Sequence, residues 1–164
     1  EEEVPQGEKG ELWVRGPQIA KGYLNDPETT KNTFSNGWLR TGDIAVRDED
    51  GILTIVDRKK DMLIYNGYNV YPRYLEELLY EHEAVQSCVV LGVPDDRAGE
   101  IPKAFVVLKS GATAALTDIQ EFVNSRVVHY SKIREIEQLD ALPMTAAGKI
   151  SRIALQKLEA SKSN

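Results

Sequence analysis

Cysteine is nearly absent: Cys88 is the single one in 164 residues, so no disulfide can form within the chain. It lies in the apolar run SCVVLGV, where a thiol is expected to act as a small buried hydrophobe, and a reducing, cytoplasmic setting is the expectation. Histidine is scarce too. His82 and His129 are far apart and have no cysteine beside them at metal-ligand spacing, so no metal site is assigned to this chain. No apolar run approaches the roughly 20 residues that span a bilayer, which leaves no transmembrane segment to assign, and the acidic opening EEEVPQGEKGE is no signal peptide. Positive charge is in deficit, with 20 Lys and Arg against 26 Asp and Glu and a net charge of -6, which argues against a nucleic-acid partner. There is no Gly-rich phosphate loop and no nucleophile elbow, so a hydrolase reading has no motif to stand on.

What is present is an ordinary globular composition, 41% apolar and 28% charged, with material for one or two small domains. ELWVRG reads as a strand, and a short helix is predicted after Pro27. GWLRTGDIAVRDEDGILTIVDR reads as two or three strands, with DEDG as a tight turn. Together these make a small antiparallel region. Five consecutive charges, DRKKD at residues 57 to 61, then mark a candidate domain boundary.

Beyond the boundary, strands alternate with helices. MLIYNGYNV predicts a strand pair around Asn66-Gly67, and YPRYLEELLYEHE predicts a helix opened by Pro72 with Leu75, Leu78, Leu79 and His82 on one face. VQSCVVLGV and KAFVVLK read as strands separated by the loop PDDRAGEIP. Thr117 and Gln120 have capping-box spacing, ahead of a helix that buries Ile119, Phe122, Val123 and Val127. The strand IREIEQL and the loop PMTAAGK precede a last helix carrying Ile150, Ile153, Ala154 and Leu158, and EASKSN is expected to fray. The order ββαββαβα predicts a compact α+β domain with a mixed sheet and about three helices.

A few polar residues stand at element ends: Asp43 in RTGD, Arg58 in DRKKD, Asn66-Gly67, and Lys149 in TAAGKISR. Singly, they read as a turn former, a solvated charge, a hairpin turn and a surface lysine. His82 reads as a packed histidine.

In order, however, GELWVRGPQIAKGYLNDPETT, NGWLRTGDIA, DRKKDMLIYNGYNVYPRYLEE, GVPDDRAGE, KAFVVL and LPMTAAGKISR resemble successive signatures of the adenylate-forming superfamily. That family includes acyl-CoA synthetases, firefly-type luciferases and the adenylation domains of peptide synthetases. Its members join a carboxylic acid to ATP as an acyl adenylate, with loss of pyrophosphate, and a thiol then displaces AMP. The resemblance implies a C-terminal portion: residues 1–57 as the β-rich end of the large AMP-binding domain, 58–60 as hinge, and 61–164 as the mobile C-terminal domain. It implies a free-standing acyl-CoA or fatty-acid-CoA ligase using a carboxylic acid, ATP and CoA, with Mg2+ held by the large domain outside this chain. The portion alone is then expected to be inactive. Two alternatives stay open: a domain that loads a carrier-protein thiol, and a non-catalytic self-associating module. A homodimer through the first region is expected from unpaired strand edges, and peripheral membrane association is expected if the acid is long-chain.

The resemblance also implies roles. Asp43 would accept hydrogen bonds from both ribose hydroxyls, as a two-oxygen carboxylate can. Arg58 would reach the ribose and phosphate side with its planar fork, and Lys60 would be the hinge residue. Lys149 would offset negative charge as carboxylate meets phosphate. Asn66, Gly67 and Tyr68 would line the channel for the pantetheine arm, where a residue without Cβ allows close approach. The small residues before Lys149 would leave its loop free to insert. Two departures stand out: VVHYSKIREIEQLDALP replaces a tyrosine-lysine-valine-proline run, so Tyr130 and Lys132 align loosely, and Ala147 replaces a hydroxyl residue before Gly148.

Overall fold

The computed structural model describes residues 2–162, and the chain divides between Lys60 and Asp61 into two units. The expected fraying of EASKSN falls partly on residues 163 and 164, outside the described residues.

The first unit is built around one long strand. Its elements are β1 (Lys9–Val14), α1 (Pro27–Thr33), β2 (Phe34–Ser35), β3 (Trp38–Arg47) and β4 (Leu53–Arg58). β1, β2 and β4 all pair antiparallel with β3. α1 opens with Pro27 in its first turn, after Asp26, whose Oδ1 accepts the Thr29 N–H at 2.9 Å. The β3–β4 turn is DEDG as expected: Asp48 Oδ1 accepts the N–H groups of Asp50 and Ile52, and Gly51 takes φ +82°. Among the described residues of this unit, only Ile44, Ala45 and Asp57 are buried.

The second unit runs β5 (Leu63–Tyr65), β6 (Tyr68–Val70), α2 (Pro72–Tyr80), β7 (Val85–Asp95), β8 (Gly99–Leu108), α3 (Leu116–Asn124), a single 3-10 turn (His129–Ser131), β9 (Glu135–Gln138) and α4 (Arg152–Lys162). This is the predicted α+β order. The sheet follows β6-β5-β8-β7, and β9 adds in parallel to β8, so the sheet is mixed. Alternation along the central hairpin splits the core in two. Cys88, Val90, Ala104 and Val106 face one side with Leu75, Leu79, Ile119 and Val123 of α2 and α3. Val89, Leu91, Phe105 and Val107 face the other, under Leu142 and Leu155. A hairpin covered on both faces needs apolar residues at successive positions, which is why SCVVLGV and KAFVVL carry so few polar ones. Cys88 is only 2% exposed. No helix among the described residues is long and apolar enough to cross a membrane.

The structure corrects four expectations. α2 stops at Tyr80, so His82 lies beyond the helix; its Nδ1 accepts the Ala84 N–H at 3.2 Å and its ring meets Phe122 edge-on. PDDRAGEIP is mostly strand, because Asp95 Oδ1 takes the N–H groups of Arg97 and Ala98 and turns the chain within three residues. No capping box forms: α3 starts at Leu116 without a side-chain cap, Gln120 Nε2 donates to Ile133 O at 2.9 Å instead, and the helix ends at Asn124 with Ile119 and Val123 buried, Phe122 half-buried and Val127 beyond it. α4 starts at Arg152, so Ile150 precedes it; Ile153 and Leu158 are exposed, and Leu155 is the buried residue.

Candidate functional site

In the first unit, antiparallel register makes neighbours of two residues far apart in sequence. Asp43 on β3 is paired with Arg58 on β4, and Arg58 Nε donates to Asp43 Oδ1 at 2.8 Å. Gly42 before Asp43 takes φ +71°. The Asp43 N–H donates to Thr41 Oγ1 at 3.0 Å, and that hydroxyl donates to Leu12 O at 2.8 Å, which ties the aspartate backbone to β1. Buried Asp57 accepts the Arg58 N–H at 2.7 Å. Lys59 is held twice, through its N–H to Gly42 O at 2.8 Å and through its ammonium to Glu11 Oε2 at 2.9 Å. Burial alone would raise the Glu11 carboxyl, but hydrogen bonds from Lys59 and Trp13 outweigh it and bring it below the ordinary value. Lys60 follows as an exposed turn residue, the last of this unit.

In the second unit, Asn66 (φ +48°) and Gly67 (φ +82°) form the two-residue connection between β5 and β6. Two successive positive φ angles suit the right-handed twist of a hairpin, and Asn-Gly is the residue pair that tolerates them best. The Asn66 N–H donates to Ala98 O at 2.9 Å, which fastens this turn to the β7–β8 turn. A Cβ added at Gly67 would meet nothing within 4 Å. Tyr68 stacks on Tyr130 with centroids 4.6 Å apart and planes 9° from parallel. The loosely aligned segment therefore touches the predicted thiol loop directly, a contact between distant residues that local pattern does not reveal.

Lys149 sits on another loop of the same unit, and this loop is braced. Met144 and Ile150 bridge, the Thr145 N–H donates to Lys149 O at 2.6 Å, and the Gly148 N–H donates to Thr145 O at 2.9 Å. Thr145 Oγ1 also accepts the Lys149 N–H at 3.2 Å, which supplies the local hydroxyl that Ala147 lacks. These bonds make the segment a folded hairpin tip, with Gly148 at φ +73°. The Lys149 ammonium is exposed and has no ion-pair partner among the described residues.

Pattern reading missed Arg152. It starts α4, donates from Nη1 to Val90 O at 2.7 Å and from Nη2 to Glu76 Oε1 at 2.6 Å, and places Nε 3.8 Å from Asp61 Oδ2. A search for an apolar stripe passes over an inward-facing arginine. Among the described residues, no three or more His, Cys, Asp or Glu side chains converge as a metal site.

Residues 74–149 match the family described as the AMP-binding enzyme C-terminal domain. Over 152 residues the chain is 51% identical to a long-chain-fatty-acid–CoA ligase of Bacillus subtilis (strain 168), covering 93% of this chain and 27% of that relative. This chain belongs to the adenylate-forming superfamily. It is also 45% identical over 150 residues to 4-coumarate–CoA ligase 1 of Petroselinum crispum, covering 91% of this chain and 28% of the relative. Among solved structures, the o-succinylbenzoate CoA synthetase (MenE) of Bacillus subtilis, in complex with the acyl-adenylate intermediate OSB-AMP, superposes with a TM-score of 0.86 at 33% identity, over 93% of this chain and 31% of that one. The amide bond synthetase McbA of Marinactinospora thermotolerans gives 0.87 at 39% identity, over 94% and 32%. The chain spans between a quarter and a third of the length of these relatives.

Proposed function

We propose that the protein carrying this chain is an AMP-forming acyl-CoA ligase, with a fatty or other carboxylic acid, ATP and CoA as substrates. The observation that carries the reading is Lys149: an exposed ammonium without an ion-pair partner among the described residues, at the tip of a braced hairpin. It occurs in a chain half identical to a fatty-acid–CoA ligase. In the first step a carboxylate oxygen bonds to the α-phosphorus of ATP, the bond to the bridging oxygen breaks, and pyrophosphate leaves. Two anions must meet, and a fixed cation where charge concentrates lowers that barrier. Asp43 takes the ribose hydroxyls, and Arg58 lies beside it to reach the phosphate side. In the second step the thiolate sulfur of CoA bonds to the acyl carbon and AMP leaves. Asn66, Gly67 and Tyr68 then line the passage of the thiol arm.

Residues 1–57 would end the large domain, 58–60 would form the hinge and 61–164 the mobile domain, a reading supported by the division of the chain at Lys60. The described residues offer no converging carboxylates for Mg2+, and we assign that ion to the large domain. The buried thiol of Cys88 fits a cytoplasmic enzyme.

The test is Lys149→Ala in the full-length protein. Adenylation falls by about 10²-fold or more, while thioester formation from supplied acyl adenylate continues. Equal loss in both steps overturns the assignment. Supplying CoA and a carrier-protein thiol side by side tests the carrier-loading alternative. A second reading, self-association through the first unit, is favoured by Ile52, Leu53 and Ile55, which are exposed on or beside β4. A monomer in sedimentation at high concentration would overturn it.

A further inference from the structure

Every residue from Met144 to Lys149 is exposed, so no buried side chain within the loop fixes the position of Lys149. That position is inherited from the two feet of the loop. The first foot is Leu142, buried against Leu91 and Phe105 of the sheet. The second is the start of α4, joined to the first by the Ser151 N–H donating to Pro143 O at 2.7 Å. α4 contributes one buried apolar residue, Leu155, and beside it the inward-turned guanidinium of Arg152.

That guanidinium meets three elements at once. It holds the carbonyl of Val90 on β7, the carboxylate of Glu76 on α2, and, more distantly, the carboxylate of Asp61, the first residue of this unit. Glu76 is immobilised in turn, because its Oε1 also accepts the Val90 N–H at 2.8 Å. Both side chains are largely shielded, at 24% and 15% exposure. Glu76 also offsets the charge of Arg152, so Lys149 faces an incoming phosphate without a competing cation three residues away. A planar fork with several donor nitrogens meets these acceptors from different atoms, Nη1 on Val90 O and Nη2 on Glu76 Oε1; a lysine offers a single nitrogen.

We propose that Arg152 is a positioning residue for Lys149, clamping the second foot of the loop to α2 and β7 so that the ammonium approaches the reacting phosphate along one fixed direction. The proposal rests on the assignment of Lys149 to adenylation. It places Arg152 outside the reacting atoms and gives it no part in the thiol step.

A double-mutant cycle in the full-length protein tests this. Arg152→Gln lowers kcat for adenylation by about 10²-fold, the scale of a misplaced catalytic group, with the KM for ATP little changed. Thioester formation from supplied acyl adenylate continues. In the Lys149→Ala background, Arg152→Gln adds less than about twofold, because the group it positions is gone. Arg152→Lys, which keeps the charge but on a single donor nitrogen, gives an intermediate loss and covers the case in which the glutamine variant does not fold. Losses that multiply across the cycle, or that strike both steps alike, overturn the proposal. If Lys149→Ala collapses adenylation while both Arg152 variants keep it, the clamp alone is wrong; if Lys149→Ala itself keeps adenylation, the underlying assignment is wrong.

Discussion

Arg58 Nε and Asp43 Oδ1 are 2.8 Å apart across neighbouring strands, and the pair is open to water, with side chains 57% and 26% exposed. An exposed ion pair of this kind stabilises a fold by about 0–1 kcal/mol, so stability is a weak reason for it. Under the proposed function its effect is orientation: a carboxylate already fixed by register, by the hydrogen bond of its own backbone N–H and by one guanidinium would be set to accept hydroxyl donors from a nucleotide.

Asp43→Ala in the full-length protein is therefore expected to raise the KM for ATP by roughly 10- to 100-fold, the worth of a hydrogen bond to a charged group. Thermal unfolding should move little. An unchanged KM would remove Asp43 from the nucleotide site, and a large drop in unfolding midpoint would make it a structural residue.

Gly67 allows a similar separation of roles. Its φ of +82° lies in the left-handed region, yet an added Cβ would touch nothing within 4 Å. Gly67→Ala should thus cost about 1–2 kcal/mol in denaturant unfolding, from backbone strain alone. If the thiol arm passes this backbone, thioester formation should fall more than tenfold while adenylation holds. Equal decline in both steps would leave the glycine only its turn.

Local chemistry was legible where the cause is local. Asn66-Gly67 favoured positive φ, Pro72 ahead of an apolar stripe suited the first turn of a helix, and the apolar runs around Cys88 and Phe105 asked for cover on both faces. What escaped depends on distant partners. Gln120 has the spacing of a cap, but Ile133 O offers it a buried acceptor, and tertiary contact wins over the local bond. The inward side of α4 is Arg152, Leu155 and Glu159, and its two charges are satisfied by Glu76 on α2 and Lys103 on β8. A hydrophobic stripe is therefore the wrong template for this helix. Asp43 and Arg58 were singled out by resemblance, but their contact follows from the β3–β4 register. The stack of Tyr68 on Tyr130 likewise joins segments whose sequences carry no sign of each other.

Cys88 offers a probe of how firmly α2 sits on β7. Burial, with the Glu76 carboxylate adding to it, pushes the thiol up to about 12, and Sγ donates to Glu76 O at 3.5 Å. At pH 8 the thiolate is then about one part in 10⁴, and only the thiolate reacts. Iodoacetamide should label the folded chain more than about 10³-fold slower than the chain in denaturant. Rapid labelling without denaturant would mean that α2 lifts away readily.

The Lys103 network sets a pH dependence whose sign can be worked out. Lys103 is 6% exposed, and its ammonium lies 3.2 Å from Glu135, 3.2 Å from Glu137 and 2.5 Å from Glu159, while Lys162 also bonds to Glu137 at 2.6 Å. The bond from Lys162, and then that from Lys103, holds the Glu137 carboxyl below its ordinary 4.5 against the opposing effect of burial. Burial alone would lower Lys103, but its three carboxylate partners raise it above 10.5. A depressed carboxylate stabilises the fold fully above its unfolded value and loses that contribution as pH falls; a raised ammonium does so fully below its unfolded value and loses it as pH rises. The network should therefore stabilise the chain between roughly pH 4.5 and 10.5 and fail on either side. Asp26, Asp95 and Glu11 are depressed as well, so some acid sensitivity remains without it. Lys103→Met should lower stability at pH 7 by less than the roughly 3–5 kcal/mol of a fully buried broken pair, because Glu135 is half exposed and can hydrate. It should also flatten the decline between pH 5 and 3 in urea titrations, since Glu137 then gains less by being charged. Parallel declines in the two proteins would place the acid sensitivity elsewhere in the chain.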